Sequence, residues 1–192
     1  MRITALTIFA IAFGACALQA QMSSGAMPPA PASNPVVAEA KQAYNQIKAN
    51  FTAMADKMPA ADYDFKATPD VRGFGATIAH VADTQMRACA GIMGEQKSVN
   101  AAAKTAKADL VAALKESFDE CDAAFNATTE ANAGEMIAGG RMQRSRLGTL
   151  VQMVVVHDNE EYGYLSVYLR LKGIVPPSSD RGGMTGGAGR KQ

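Results

Sequence analysis

The sequence predicts an all-α fold, a four-helix bundle, and three observations carry that expectation. Four segments place apolar residues at three- and four-residue spacing, the period of one buried helix face. Aromatic residues make up 6% of the chain and Trp is absent, while Ala, Leu, Met, Lys and Glu abound; a β-sandwich core is built instead from β-branched and aromatic side chains. No convincing strand is visible: Val154–Val156 is locally strand-like but lies inside a helical period without turn signals beside it. The length, 192 residues, is room for one domain.

The first helix is expected from about Pro35 to Lys57, with Asn34 as N-cap and Pro35 at the first helical position. Val36, Val37, Ala40, Tyr44, Ile47, Phe51 and Met54 form its apolar face. Pro59, Pro69 and Gly73 break the following connection. The second helix is expected from about Phe74 to Met93, inward through Phe74, Ile78, Val81, Ala82, Gln85, Cys89 and Ile92, with Gly94 as its stop. The third runs from about Ala103 to Ala127, with Leu110, Leu114, Ser117, Cys121, Ala124 and Phe125 inward. After a break around Ala133–Gly140, the fourth is expected from about Met142 to Lys172, ended by Gly173 and Pro176–Pro177. Its stripe is Leu147, Leu150, Val154, His157, Glu161, Leu165 and Tyr168.

The ends read differently. Residues 1–20 have a basic Arg2, an apolar Ile3–Phe13 run and small residues before Ala20, the pattern of a secretory signal peptide. Cys16 as a lipoprotein acceptor is the alternative. Residues 21–34 are a Ser/Pro/Ala linker, and residues 178–192 a Gly-rich tail; both are expected to be disordered, leaving 35–177 as the folded body. The chain is therefore expected to be exported, periplasmic or secreted. Cys89 and Cys121 would then remain in an oxidising compartment, where they form a disulfide if their Cα atoms come within about 7 Å and are otherwise two buried thiols. Charge is balanced, 19 Lys+Arg against 18 Asp+Glu, which argues against nucleic acid as a partner. No stretch in the body is apolar for the roughly 20 residues a membrane span needs. The basic cluster Arg141, Arg144 and Arg146 reads as a solvated face.

The chemistry-bearing residues are few. His157 and Glu161 are four apart and so share a helix face, on the stripe expected to point inward. A charged Glu there is costly unless it is paired, protonated or bound to a metal. Imidazole nitrogen and carboxylate oxygen are good ligands for zinc and other first-row ions. A third donor must come from another helix, and His80 is the only other histidine. On an ideal wheel, however, His80 lies nearly opposite the apolar stripe of its helix, among Ala76, Thr77, Thr84 and Gly91. A ligand there places the ion in a lateral cleft. Tyr162, Tyr164 and Tyr168 could bring a hydroxyl near it, though packing is the commoner role.

The segment HDNEEYGYLSVYLRLKGIVPPSS from His157, the stretch YDFKATPDVRGFGATIAHVAD containing His80, and the helix KADLVAALKESFDECDAAF closely resemble the DinB-like (DinB/YfiT) metalloenzyme family. The resemblance spans roughly residues 36–177. It implies a bundle with up-down-down-up connectivity and a metal held by three histidines, of which the first two fall on His80 and His157. The third falls on Glu161, because the family's H-x-x-E-H reads H-D-N-E-E here. A carboxylate can replace imidazole, and the substitution can equally weaken or abolish binding; Glu160 is the alternative donor. The implied cofactor is a divalent metal ion, zinc first, with nickel, iron or manganese as alternatives. The implied partner is a small-molecule substrate, a thiol among the candidates, and a homodimer is left open. The resemblance thus implies a metal-dependent hydrolase or thiol-type transferase; the alternative is a non-catalytic metal-binding or structural bundle, or an interaction module of the cell envelope.

Overall fold

The computed structural model describes residues 35–137 and 143–180. Long helices dominate: α1 (Val36–Lys57), α2 (Phe74–Ile92), α3 (Lys107–Ala127), and a fourth built from α4 (Arg146–Leu150), a π-helical stretch Val151–Val156 and α5 (His157–Leu171) in series. The backbone stays in the right-handed helical region across both junctions, so the fourth helix is continuous although its hydrogen-bond ladder changes. Gly94 and Gly173 follow the ends of α2 and α5 at φ of 77° and 72°, a conformation that costs any residue with a Cβ.

Cross-helix pairs fix the directions. Gln85 meets Ser117 and Cys89 meets Cys121, each pair four residues further along than the last, so α2 and α3 run parallel. Lys41 bonds Asn126 and Lys48 bonds Asp122, so α1 is antiparallel to α3. Arg72, just before α2, meets Tyr168, His80 meets His157, and Ile92 meets Arg146, so the fourth helix is antiparallel to α2. The result is the up-down-down-up bundle the resemblance implied. The core holds Tyr44, Ile47, Phe51 and Met54 of α1, Phe74, Ile78 and Cys89 of α2, Leu110, Leu114 and Phe118 of α3, and Leu150, Val154 and Leu165 of the fourth helix. The disulfide Cys89–Cys121 joins α2 to α3 at a Cα–Cα distance of 5.0 Å, which resolves the two readings left open for these cysteines in favour of the bond.

Four expectations are corrected. The third helix begins at Lys107 rather than Ala103, because Ala101–Ala103 form a 3-10 turn. The Asp83 carboxylate accepts from the Ala101 and Ala102 N–H groups at 2.9 and 3.0 Å, holding that turn against α2. The fourth helix begins at Arg146 rather than Met142. A two-residue antiparallel ladder, β1 (Met136–Ile137) with β2 (Arg144–Ser145), precedes it, too short to leave an alternating pattern. Arg146 is not solvated: its guanidinium donates to the Ile92 carbonyl and pairs with Glu135. Finally, the body extends past Pro177 to Asp180. A 3-10 turn Pro177–Ser179 is tied down by the Ser178 N–H on the Tyr162 hydroxyl, Arg170 on Ser179 and Lys57 on Asp180. The signal peptide, the linker with Asn34, Cys16, Arg141 and the tail beyond Asp180 lie outside the described residues.

Candidate metal centre

The π-helical stretch sets the geometry of the site. It replaces the expected stripe by one in which Leu150, Val154, Asp158, Leu165 and Leu169 are deepest, with Asp158 fully buried. His157 and Glu161 are thereby placed on the flank of α5, their side chains 18% and 12% exposed. They face α2, where His80 sits at 35% side-chain exposure. The wheel difficulty over His80 disappears for a related reason. Thr77, Thr84 and Ala79 are buried along with the apolar stripe, so α2 is covered on most of its circumference. His80 lies at the seam between α2 and α5, not on an outer face.

The three predicted donors converge. His80 Nε2 lies 3.1 Å from His157 Nε2 and 3.5 Å from Glu161 Oε1, and His157 Nε2 lies 3.9 Å from the same oxygen. A point equidistant from three atoms so spaced is about 2 Å from each, the bond length of zinc to imidazole nitrogen or carboxylate oxygen. Two neutral imidazoles with one carboxylate are also a donor set that suits zinc, and the residues present fit a divalent ion.

Two residues that sequence reasoning missed complete the cluster. Asp158 lies 3.2 Å from His157 Nδ1. Accepting the Nδ1 proton fixes the tautomer whose Nε2 lone pair faces His80 and Glu161, a familiar support for a metal-bound histidine. Burial pushes the Asp158 carboxyl up to about 6, despite the opposing pull of His157. Its second oxygen is buried without a hydrogen-bond partner. The hydrogen bond to Asp158 in turn lifts the His157 imidazole above its ordinary value. Burial, followed by the positive charge of Arg72, lowers that of His80. Arg72 is the second missed residue: its Nη1 lies 3.3 Å from Glu161 Oε1, and the Tyr168 hydroxyl holds its carbonyl at 2.8 Å.

The other candidates stand apart from the centre. Glu160 accepts from the Tyr164 hydroxyl on the exposed side of α5 and is not among the three converging groups. Tyr162 is engaged with Ser178 and reaches the site with no bond. Only Tyr168 bears on the centre, through Arg72. Two clefts flank the cluster: one of about 600 Å³ is lined by His80, and one of about 380 Å³ by Glu161, with Arg72 in the wall of both. No helix among the described residues is long and apolar enough to cross a membrane.

Comparison with known proteins agrees with this architecture. Among solved structures, a DinB-like protein from Bacillus cereus ATCC 10987 is similar with a TM-score of 0.63 at 13% identity, over 72% of this chain and 93% of that one, a likeness of fold. No curated protein matches the chain. The sequence model of the DinB superfamily matches residues 43–165, a span that includes His80, His157 and Glu161. With well over half its length matched, the chain belongs to the DinB superfamily.

Proposed function

We propose that this protein is an exported metal-dependent enzyme that binds a divalent ion, zinc first, through His80, His157 and Glu161. Its reaction would be hydrolysis or thiol-type transfer on a small molecule. The observation that carries the reading is the convergence of three donors from two helices around one point at metal–ligand distance. Bound there, a divalent ion supplies Lewis acidity and lowers the pKa of a coordinated water or thiol. The chain's own residues do the rest. Asp158 holds the His157 proton on Nδ1, so that Nε2 stays free to donate its lone pair. Arg72 offsets the charge of the largely buried Glu161 carboxylate and orients it. The two clefts beside the cluster are the approaches for a substrate. Export is supported by the signal-like pattern of residues 1–20 and by the Cys89–Cys121 bond, which suits an oxidising compartment.

One observation favours a second reading, a non-catalytic bundle. Arg72 already gives Glu161 a counter-charge without an ion. Metal analysis of protein purified without chelator or added metal, followed by turnover assays against ester, amide and thiol-transfer substrates, separates the two. The enzyme reading expects one ion per chain and a turnover that His157→Ala abolishes while the helical circular-dichroism spectrum persists. Protein that binds no ion above background refutes it.

A further inference from the structure

The larger cleft carries a charge pattern that the metal centre does not need. Four cationic side chains line it, Lys66, Arg72, Arg87 and Lys104, against two carboxylates, Asp64 and Asp83. The Asp83 carboxylate is already committed, with both oxygens taken by the Ala101 and Ala102 N–H groups. On the cationic side, Arg72 is shared with Glu161, and Arg87 Nη2 rests 3.5 Å from the hydroxyl of the buried Thr84. The Lys66 and Lys104 ammonium groups have no hydrogen-bond or ion-pair partner among the described residues. Asp64 is the one uncommitted carboxylate in the wall. The whole chain carries a formal net charge of only +1, so this surplus is local to the cleft. Its volume, about 600 Å³, suits a small molecule, and the exposed Ala76 offers an apolar contact to the ligand's body, with Ala79 and Leu110 buried behind the wall.

We propose that this cleft binds the anionic end of a small-molecule substrate, a carboxylate or a phosphate monoester, through Lys66, Lys104 and Arg87. Arg72 closes the end nearest Glu161. The inference deepens the metal-enzyme reading, on which it rests for the ligand's role as substrate, by naming the substrate's class. Flexible ammonium groups without partners cost little to reorganise around an anion, and each charge-assisted hydrogen bond is stronger than a neutral one.

The test uses the purified chain in zinc-loaded and metal-free forms. Succinate, inorganic phosphate and the neutral succinamide are titrated by calorimetry at low and at physiological salt. The expected result is saturable binding of succinate or phosphate, weakened by salt, with no binding of succinamide. The double variant Lys66→Ala/Lys104→Ala is expected to bind at least about tenfold more weakly, with zinc stoichiometry unchanged. Whichever of succinate and phosphate binds more tightly identifies the anion. Absence of saturable binding by either anion, equal binding of succinamide, or equal affinity in the double variant overturns the proposal. Failure of zinc to bind overturns the metal reading instead, and the metal-free titration then still decides whether the cleft holds an anion.

Discussion

The Cys89–Cys121 bond gives the most calculable consequence of the fold. It closes a loop with a sequence separation of 32 residues between parallel helices, spanning the connection with the Asp83-anchored turn. In the chain-entropy account, cross-linking a loop of that length removes about 12 cal/mol/K from the unfolded ensemble, or about 4 kcal/mol at 25 °C. Both sulfurs lie in fully buried residues. The reduced thiols would still pack as small hydrophobes, so the folded state loses little contact. With a urea slope of about 2 kcal/mol/M, usual for a domain of this size, reduction should lower the unfolding midpoint by about 2 M. The assay is urea unfolding followed by circular dichroism, with and without a phosphine reductant, beside Cys89→Ala/Cys121→Ala as a second route. A midpoint that moves by less than about 0.5 M on both routes refutes the entropic argument. Two free thiols in unreduced, denatured protein would show that the bond does not form at all.

Other consequences follow from the centre. Asp158→Asn should lower zinc affinity by about 10- to 100-fold, as loss of a supporting carboxylate does elsewhere, read by competition with a chromophoric chelator. The same variant should change the stability of the metal-free protein. The folded Asp158 carboxyl titrates at about 6 against an ordinary 3.8, so between those values the folded state holds the proton that the unfolded state has lost. Wild-type stability should therefore fall, relative to Asp158→Asn, as pH rises from about 4 to about 6, and stay lower above that; parallel urea curves at pH 4.5 and 7.5 measure the difference. Zinc affinity should fall as pH drops from neutral into the acid range, with His157 protonating before His80, because Asp158 raises the one while burial lowers the other. Histidine NMR shifts across that range check the order. Glu161→His, which restores the family pattern, should retain or raise affinity, and Glu161→Ala should lower it; the reverse ranking would show that Glu161 is no ligand.

What could be read from the residues, and what could not, divides along physical lines. His157 and Glu161 were legible because a four-residue spacing is a property of one helix. His80 was legible only through the family resemblance. A wheel assumes one buried face, whereas α2 packs against α3 on one side and the fourth helix on another, so that Thr77 and Thr84 are buried too. Asp158 was not legible, since an acidic residue beside a histidine looks solvated. It is the π-helical stretch Val151–Val156 that turns it into the core, and such a change of ladder has no clear signature beyond the crowded valines there. Arg72 lies in a connection whose path no periodicity constrains, and its role rests on the Tyr168 hydroxyl, 96 residues further along the chain. Arg146 read as solvated for the same reason: its partners, Ile92 and Glu135, come from elements whose placement depends on the whole fold.

X-ray absorption at the zinc edge of the loaded protein tests the central claim, that His80, His157 and Glu161 hold one ion. The account predicts one zinc per chain with a first shell of nitrogen and oxygen only, at about 2.0–2.1 Å. It also predicts the outer-shell scattering of two imidazoles, falling to one in His80→Ala and in His157→Ala alike. A shell containing sulfur, or imidazole scattering that persists unchanged in either variant, would contradict it.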